Sequence, residues 1–334
     1  MSNYDPWEDQ LEKYLQIAKI AIQSYPALSQ STITLLNYSE NATYLVKHPT
    51  TGAKQILRVS RPDYHTKTEI ESELIWLESI NKHASLHVAL PIRAKNGEYI
   101  QEVTLDKKRY YCTLFTFLEG DAPDEEKESE LIRQFEILGE ITALLHDHSI
   151  NYGTNLDNIK RLSWNYETIL GDKPKWGKWQ DGLAITPERA VLFQKVSEKI
   201  QARLEAFGKK STRYGLIHSD LRLANLLVEG DQIKVIDFDD CGYGWYLYDL
   251  ATSLSFIEHK SYVPGLIESW IKGYRKVRNL SQEEVQEIPT FVMMRRLQLV
   301  AWVGSRNNET TEELGDGFTV DTDPLAEKYL ESMK

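Results

Sequence analysis

Apolar residues recur at helical spacing from Trp7 to Tyr25, at Leu11, Leu15, Ala18 and Ile22, and predict an amphipathic helix there. The period then shortens. Thr32 to Asn37, Thr43 to Lys47 and Gln55 to Ser60 read as strands, with Pro49-Thr-Thr-Gly52 as the turn between the last two. Helical spacing returns over Thr66 to Asn81, where Ile70, Leu74, Leu77 and Ile80 share a face. His87 to Arg93 and Tyr110 to Leu118 read as two further strands, the second broken by Gly120. Asp121 to Glu130 is a polar, acidic connector, and acidic runs of this kind are solvated surface. A long helix follows from Ser129 to His148, with Leu131, Phe135, Leu138 and Leu145 as its buried stripe. His146 and His148, at the end of that stripe, are expected to be stabilised by the helix's C-terminal carbonyls rather than to bind a metal.

The remaining part of the chain is less regular. Leu226 to Val228 and Ile233 to Ile236 read as short strands joined by the turn Glu229-Gly-Asp-Gln232. Residues 150–190 gather Trp164, Trp176 and Trp179 with several glycines. Aromatic walls with flexible joints suit a cap over a bound small molecule, including a cationic one, but the packing of a helical subdomain explains them slightly better. The segment after Asn307 is acidic and uninformative about chemistry.

A chain of 334 residues is long enough for a large core and suits two lobes better than one. Its net charge of −11 argues against nucleic-acid or anionic-membrane partners. No apolar run predicts a signal peptide or a membrane span. The two cysteines, Cys112 and Cys241, lie in apolar surroundings, which fits buried thiols in a reducing cytoplasm. Oligomeric state is not legible.

The densest chemistry is His218-Ser-Asp-Leu-Arg-Leu-Ala-Asn225, followed by Ile236-Asp-Phe-Asp-Asp240. The hairpin between them brings Asp237 back beside the loop that precedes it. Asp220 is then placed to accept the proton of an attacking hydroxyl, while Asn225 and Asp237 offer a neutral and a charged oxygen to Mg²⁺. His218 reads as a residue that orients the loop, Arg222 as a phosphate partner or a surface pair, and Asp239 as a further carboxylate near the metal.

H-x-D-x-x-x-x-N, a hairpin and a D-F-x variant, with Tyr248-Asp249-Leu-Ala251 beyond, resemble the aminoglycoside phosphotransferase and choline kinase superfamily. The resemblance is dense over residues 214–251 and thinner over the rest of 30–300. It implies a protein-kinase-like α+β fold, with a small antiparallel-sheet lobe and a larger, mainly helical one. On that basis residues 1–29 form an N-terminal helical segment, 30–118 the nucleotide-covering lobe and 119–334 the catalytic lobe, with 150–190 a substrate-side insertion. It also implies an ATP- and Mg²⁺-dependent phosphotransferase acting on the hydroxyl of a small molecule, such as an aminoglycoside, an amino alcohol or homoserine.

Further residues follow from the same likeness. The phosphate-covering turn falls at Ser39-Glu40-Asn41-Ala42, with Ser39 and Asn41 as cofactor residues, although the segment has no G-x-G-x-x-G. Arg58 stands where such enzymes carry a phosphate-binding lysine. It is a departure, because arginine keeps the charge but not the shape, and Lys54 is the fallback. Glu73 is its expected helix partner. Phe115 to Phe117 would line the adenine, through backbone groups and apolar rings. Asp249 would prop the catalytic loop.

Only residues 238–248 separate Asp237 from Asp249, too few for a long phosphorylatable activation segment. That favours a constitutively assembled enzyme, although a bacterial stress-response type of Ser/Thr protein kinase shares the economy. Two other classes were weighed. A haloacid-dehalogenase-type phosphatase would use Asp237-x-Asp239 but leaves His218 to Asn225 unexplained. A nucleotide-binding regulator without turnover is suggested by Arg58 and opposed by the intact Asp220, Asn225 and Asp237.

Overall fold

Helix α1 (Trp7–Ala21) buries Tyr14, Ile17, Ala18 and Ala21 against one face of a sheet. The computed structural model describes residues 7–38, 41–153, 156, 159–306 and 309–333. They fall into two compact units, one of residues 1–82, 87–119 and 158–160, the other of 83–86, 120–157 and 161–334.

In the N-terminal unit, β1 (Thr32–Tyr38), β2 (Ala42–Lys47) and β3 (Lys54–Val59) precede α2 (Lys67–His83). The short β4 (Pro91–Ile92), β5 (Ile100–Leu105) and β6 (Lys108–Thr116) complete a six-stranded antiparallel sheet ordered β1-β2-β3-β6-β4, with β5 paired to β6. Side chains alternate across the pleat. Ala42, Tyr44, Val46, Leu57, Val59, Cys112 and Leu114 therefore join α1 in one core. Lys54, Ile56 and Arg58, with Thr113 and Phe115 opposite them in register, fall on the other face.

Two strand expectations change. The predicted strand His87 to Arg93 shrinks to two residues, since Pro91 has no N–H to give to a ladder. β5 was not anticipated. Its turn into β6 uses Asp106 and Lys107, both at positive φ (49° and 63°), where a two-residue hairpin normally carries Asn-Gly. Without that signal, and with Gln101 buried out of alternation, the strand is silent in sequence.

The C-terminal unit is mainly helical. After α3 (Glu128–Asn151) come β7 (Ser163–Trp164), α4 (Tyr166–Ile169), α5 (Pro187–Phe207) and β8 (Tyr214–Ile217). The hairpin β9 (Leu226–Glu229) and β10 (Gln232–Val235) follows, then β11 (Gly242–Trp245), α6 (Tyr246–Ser253), α7 (Val263–Tyr274) and α8 (Gln282–Ser305). The chain closes with α9 (Glu309–Val320), kinked at Gly315, and α10 (Thr322–Ser332). Strand β11 pairs antiparallel with β8 and parallel with β7. Helices α3 and α7 pack almost backbone to backbone. A Cβ on Gly139 would sit 2.1 Å from the Trp270 carbonyl oxygen, and one on Gly273 only 1.8 Å from that of Glu136. Among the described residues no helix is long and apolar enough to cross a membrane.

Candidate active site

Arg58 and Glu73 form a bidentate, buried ion pair in the N-terminal unit. Nη1 donates to Oε1 at 2.8 Å and Nη2 to Oε2 at 2.6 Å, with the two residues 5% and 1% exposed. The pair joins the middle of β3 to α2, whose same buried face carries Ile70, Leu74 and Leu77. The Phe115 ring lies under the guanidinium at 5.0 Å. Lys54 points to other partners: it meets Glu119 at 3.0 Å and the Phe117 ring at 4.6 Å. Asn41 is 9% exposed and its Oδ1 accepts the Arg61 N–H at 3.1 Å, which ties the β1–β2 turn to the end of β3. Ser39, the other residue expected in that turn, lies outside the described residues. The Thr116 N–H goes to the Leu90 carbonyl at 2.9 Å and Phe115 lies in the β3 and β4 ladders. Backbone from Phe117 onward is what remains to meet a ring edge.

In the C-terminal unit, the loop after β8 is held from below by α6. Asp249, fully buried, accepts the His218 N–H on Oδ2 at 3.1 Å and the Ser219 N–H on Oδ1 at 2.6 Å. One turn on, Thr252 Oγ1 accepts the Leu221 N–H at 2.9 Å. These bonds stabilise Ser219 at φ 62°, a left-handed conformation that a serine adopts at some cost. His218 bridges the loop to the end of β10. Its Nε2 donates to the Ile236 carbonyl at 3.0 Å, and its Nδ1 accepts the Asp220 N–H at 3.2 Å.

Asp249 is held in turn by a residue expected to do something else. His146 does not cap a helix terminus, because α3 continues to Asn151. Its Nε2 meets Asp249 Oδ2 at 3.0 Å and its Nδ1 meets the Tyr274 hydroxyl at 2.9 Å. Burial pushes the imidazole pKa down, more than Asp249 pulls it up. The neutral ring therefore donates from Nε2 to the carboxylate and accepts from Tyr274, whose hydroxyl itself accepts from Arg278 at 2.7 Å.

Asp220 has both carboxylate oxygens engaged. Asn225 Nδ2 donates to Oδ2 at 2.8 Å, and also to the Asp220 carbonyl at 2.8 Å. Arg295 Nη2, from α8, donates to Oδ1 at 2.6 Å. Arg222 Nε stands 3.6 Å from Oδ2. The Asn225 amide spends its nitrogen on Asp220, which leaves its oxygen as the end suited to a cation. Asp237 is exposed and sits at φ 61° beyond β10. The carbonyls around it are pinned: Arg161 donates to those of Asp239 and Cys241, and Trp164 Nε1 to that of Asp240 at 2.7 Å. Among the described residues no three His, Cys, Asp or Glu side chains form a metal cage. A hard cation that keeps waters and takes phosphate oxygens fits one carboxylate and one amide without such a cage.

Trp164, Trp176 and Trp179 are all buried, at 2%, 5% and 2% exposure, so they pack the unit rather than cap a ligand. Trp176 bears the Arg295 guanidinium on its ring at 4.9 Å. Sequence reasoning missed Arg295, His146 and Tyr274. Arg295 and Arg296 did carry a signal, as a charged pair inside the apolar run Phe291 to Val303 of one helix.

An antiparallel sheet with one ion-paired helix, followed by a helical unit with an Asp–Asn loop and a carboxylate hairpin, defines a protein-kinase-like, two-lobed α+β enzyme. Asp237 lies two residues beyond β10, a strand of a two-stranded antiparallel hairpin, which a dehalogenase-type nucleophile strand is not. The chain belongs to the phosphotransferase enzyme family, whose model matches residues 32–280. It is a small-molecule kinase with an alcohol group as acceptor. A microcompartment-associated aminopropanol kinase is 39% identical, with a TM-score of 0.87, over 96% of this chain and 98% of that one. An amicoumacin kinase in complex with AMP-PNP, Ca²⁺ and Ami is 20% identical, with a TM-score of 0.75, over 96% of each chain. The homoserine kinase of Sinorhizobium medicae (strain WSM419) is 26% identical over 85% of this chain and 80% of its own length.

Proposed function

We propose that this enzyme transfers the γ-phosphoryl group of ATP to the hydroxyl of a small amino alcohol of the aminopropanol kind. The likeness to the aminopropanol kinase, at 39% identity along nearly the whole of both chains, carries the choice of acceptor. Arg58, steadied by Glu73, would bind the nucleotide phosphates. Phe115 and Phe117 would lie against the adenine, and the Ser39–Asn41 turn would offer backbone N–H groups to the phosphates. Asn225 and Asp237 would hold Mg²⁺, which when bound neutralises phosphate charge. Asp220 accepts the acceptor's O–H as a hydrogen bond. As the acceptor oxygen bonds to the γ-phosphorus, the bond to the β–γ bridging oxygen breaks, ADP keeps the electron pair and the hydroxyl proton passes to Asp220. Cys112 and Cys241 are buried thiols rather than a disulfide, which suits work in the cytoplasm, where ATP is supplied.

The test uses γ-labelled ATP, Mg²⁺ and, separately, aminopropanol and homoserine, with wild type and Asp220→Asn side by side. Label on aminopropanol that falls steeply in the variant, to a small but measurable residual rate, is the expected result. Preference for homoserine would move the acceptor, and transfer indifferent to Asp220→Asn would overturn the assigned role.

A further inference from the structure

We propose that Arg295 is a positioning residue for phosphoryl transfer, acting through Asp220; the inference rests on the reading of Asp220 given above. Arg295 is 1% exposed and its guanidinium is fixed on every side. Nε donates to Ser255 Oγ at 2.9 Å, Nη1 to Gln298 Oε1 at 3.2 Å, and the plane lies over Trp176. Tyr248, whose phenol burial pushes up to about 12, donates to the same Gln298 oxygen and keeps that acceptor oriented. What is left, Nη2, aims at Asp220 Oδ1.

The consequence for Asp220 is geometric. Its two oxygens are held from two elements, Oδ1 by α8 and Oδ2 by Asn225 of its own loop, so the carboxylate cannot rotate. A carboxylate has about four lone-pair sites, and these two bonds use one on each oxygen. The remaining directions are set in advance for the acceptor's hydroxyl. The guanidinium also offsets the charge of a carboxylate that must work near an anionic triphosphate. Because the transition state of phosphoryl transfer is loose, orientation of the nucleophile matters more than proton-accepting strength.

The experiment is a double-mutant cycle of Arg295→Met and Asp220→Asn, read as kcat and KM for both substrates. Arg295→Met should lower kcat by roughly 10- to 100-fold, the scale expected of a misplaced catalytic group, with KM for ATP unchanged. Arg295→Lys should recover part of that loss. In the Asp220→Asn background, Arg295→Met should cost less than about twofold more, since interacting groups are non-additive. An equal loss in both backgrounds, or full activity of Arg295→Met, would overturn the proposal. If Arg295→Met does not fold, Arg295→Lys carries the same cycle. Asp220→Asn with wild-type activity would instead remove the reading of Asp220 on which the inference rests.

Discussion

The ion pairs Arg58–Glu73, fully buried, and Arg295–Asp220, partly buried, have similar chemistry and opposite assignments. In the N-terminal unit the cation is the proposed working group and the carboxylate steadies it. In the C-terminal unit the carboxylate works and the cation steadies it. The pairs also differ in reach: 15 residues separate Arg58 from Glu73, and 75 separate Asp220 from Arg295. The first pair stands on one strand and one helix. The second belongs to a network that runs from Arg278 through Tyr274, His146 and Asp249 to the loop amides, and enters separately from α8. A short-range pair is replaceable with local consequences, whereas a networked carboxylate transmits damage to the whole loop.

The sharpest way to break this comparison is Asp249→Ala. It leaves the His218 and Ser219 amides and His146 without their acceptor, and should cost about 3–5 kcal/mol of stability, at about 1–3 kcal/mol for each buried donor left unpaired. The expected kcat loss is about 100-fold or more from misplacing the loop, to be checked by thermal unfolding and steady-state kinetics. Next comes Glu73→Gln, which leaves the Arg58 charge buried without its carboxylate. A loss of about 3 kcal/mol should accompany a raised KM for ATP and an unchanged KM for the acceptor. Arg58→Lys, with the charge kept but the fork lost, should raise KM for ATP by about 10-fold or less.

A third outcome separates the units by pH. His146 is held below its ordinary pKa by burial, so the unfolded chain binds a proton more readily than the folded one. Stability is then full above the unfolded pKa of about 6.5 and falls as pH drops below it. The melting temperature of wild type should fall more steeply from pH 7 to 5.5 than that of His146→Gln. The smallest effect belongs to Lys54→Ala. Its ion pair with Glu119 is exposed, and such pairs contribute about 0–1 kcal/mol. A large rise in KM for ATP in this variant would move phosphate binding from Arg58 to Lys54.

Legibility in the sequence follows the same division by distance. The catalytic-loop motif and its hairpin stand out because their residues are close in sequence and the hairpin turn carries Gly230, whereas Arg58 and its partner Glu73 are legible through the family resemblance. Strand β5 is hidden because a left-handed Asp106-Lys107 turn does without glycine. His146 was misjudged because helix periodicity gives the stripe but not the end: three further residues of α3 beyond His148 remove any terminal role for His146. Arg295 was missed because nothing local links the middle of α8 to a loop 75 residues earlier. The tryptophans of 150–190 were legible as a cluster. The bond from Trp164 to the Asp240 carbonyl lies beside the close approach of Gly242, where a Cβ would stand 2.4 Å from the Leu162 carbonyl oxygen.

The long reach of the Arg295 bond also has a consequence in time. A ribosome that has just added Asp220 must add 75 more residues before Arg295 exists. At roughly 5–20 residues per second that is about 4–15 s. Even then the helix carrying it lacks its support, since the neighbouring Arg296 is anchored by Thr322 and the Phe318 carbonyl, close to the end of the chain. The nascent polypeptide thus completes the Arg58–Glu73 pair well before the Arg295–Asp220 pair, and on the reading proposed above a copy that stops short of α8 lacks its oriented carboxylate.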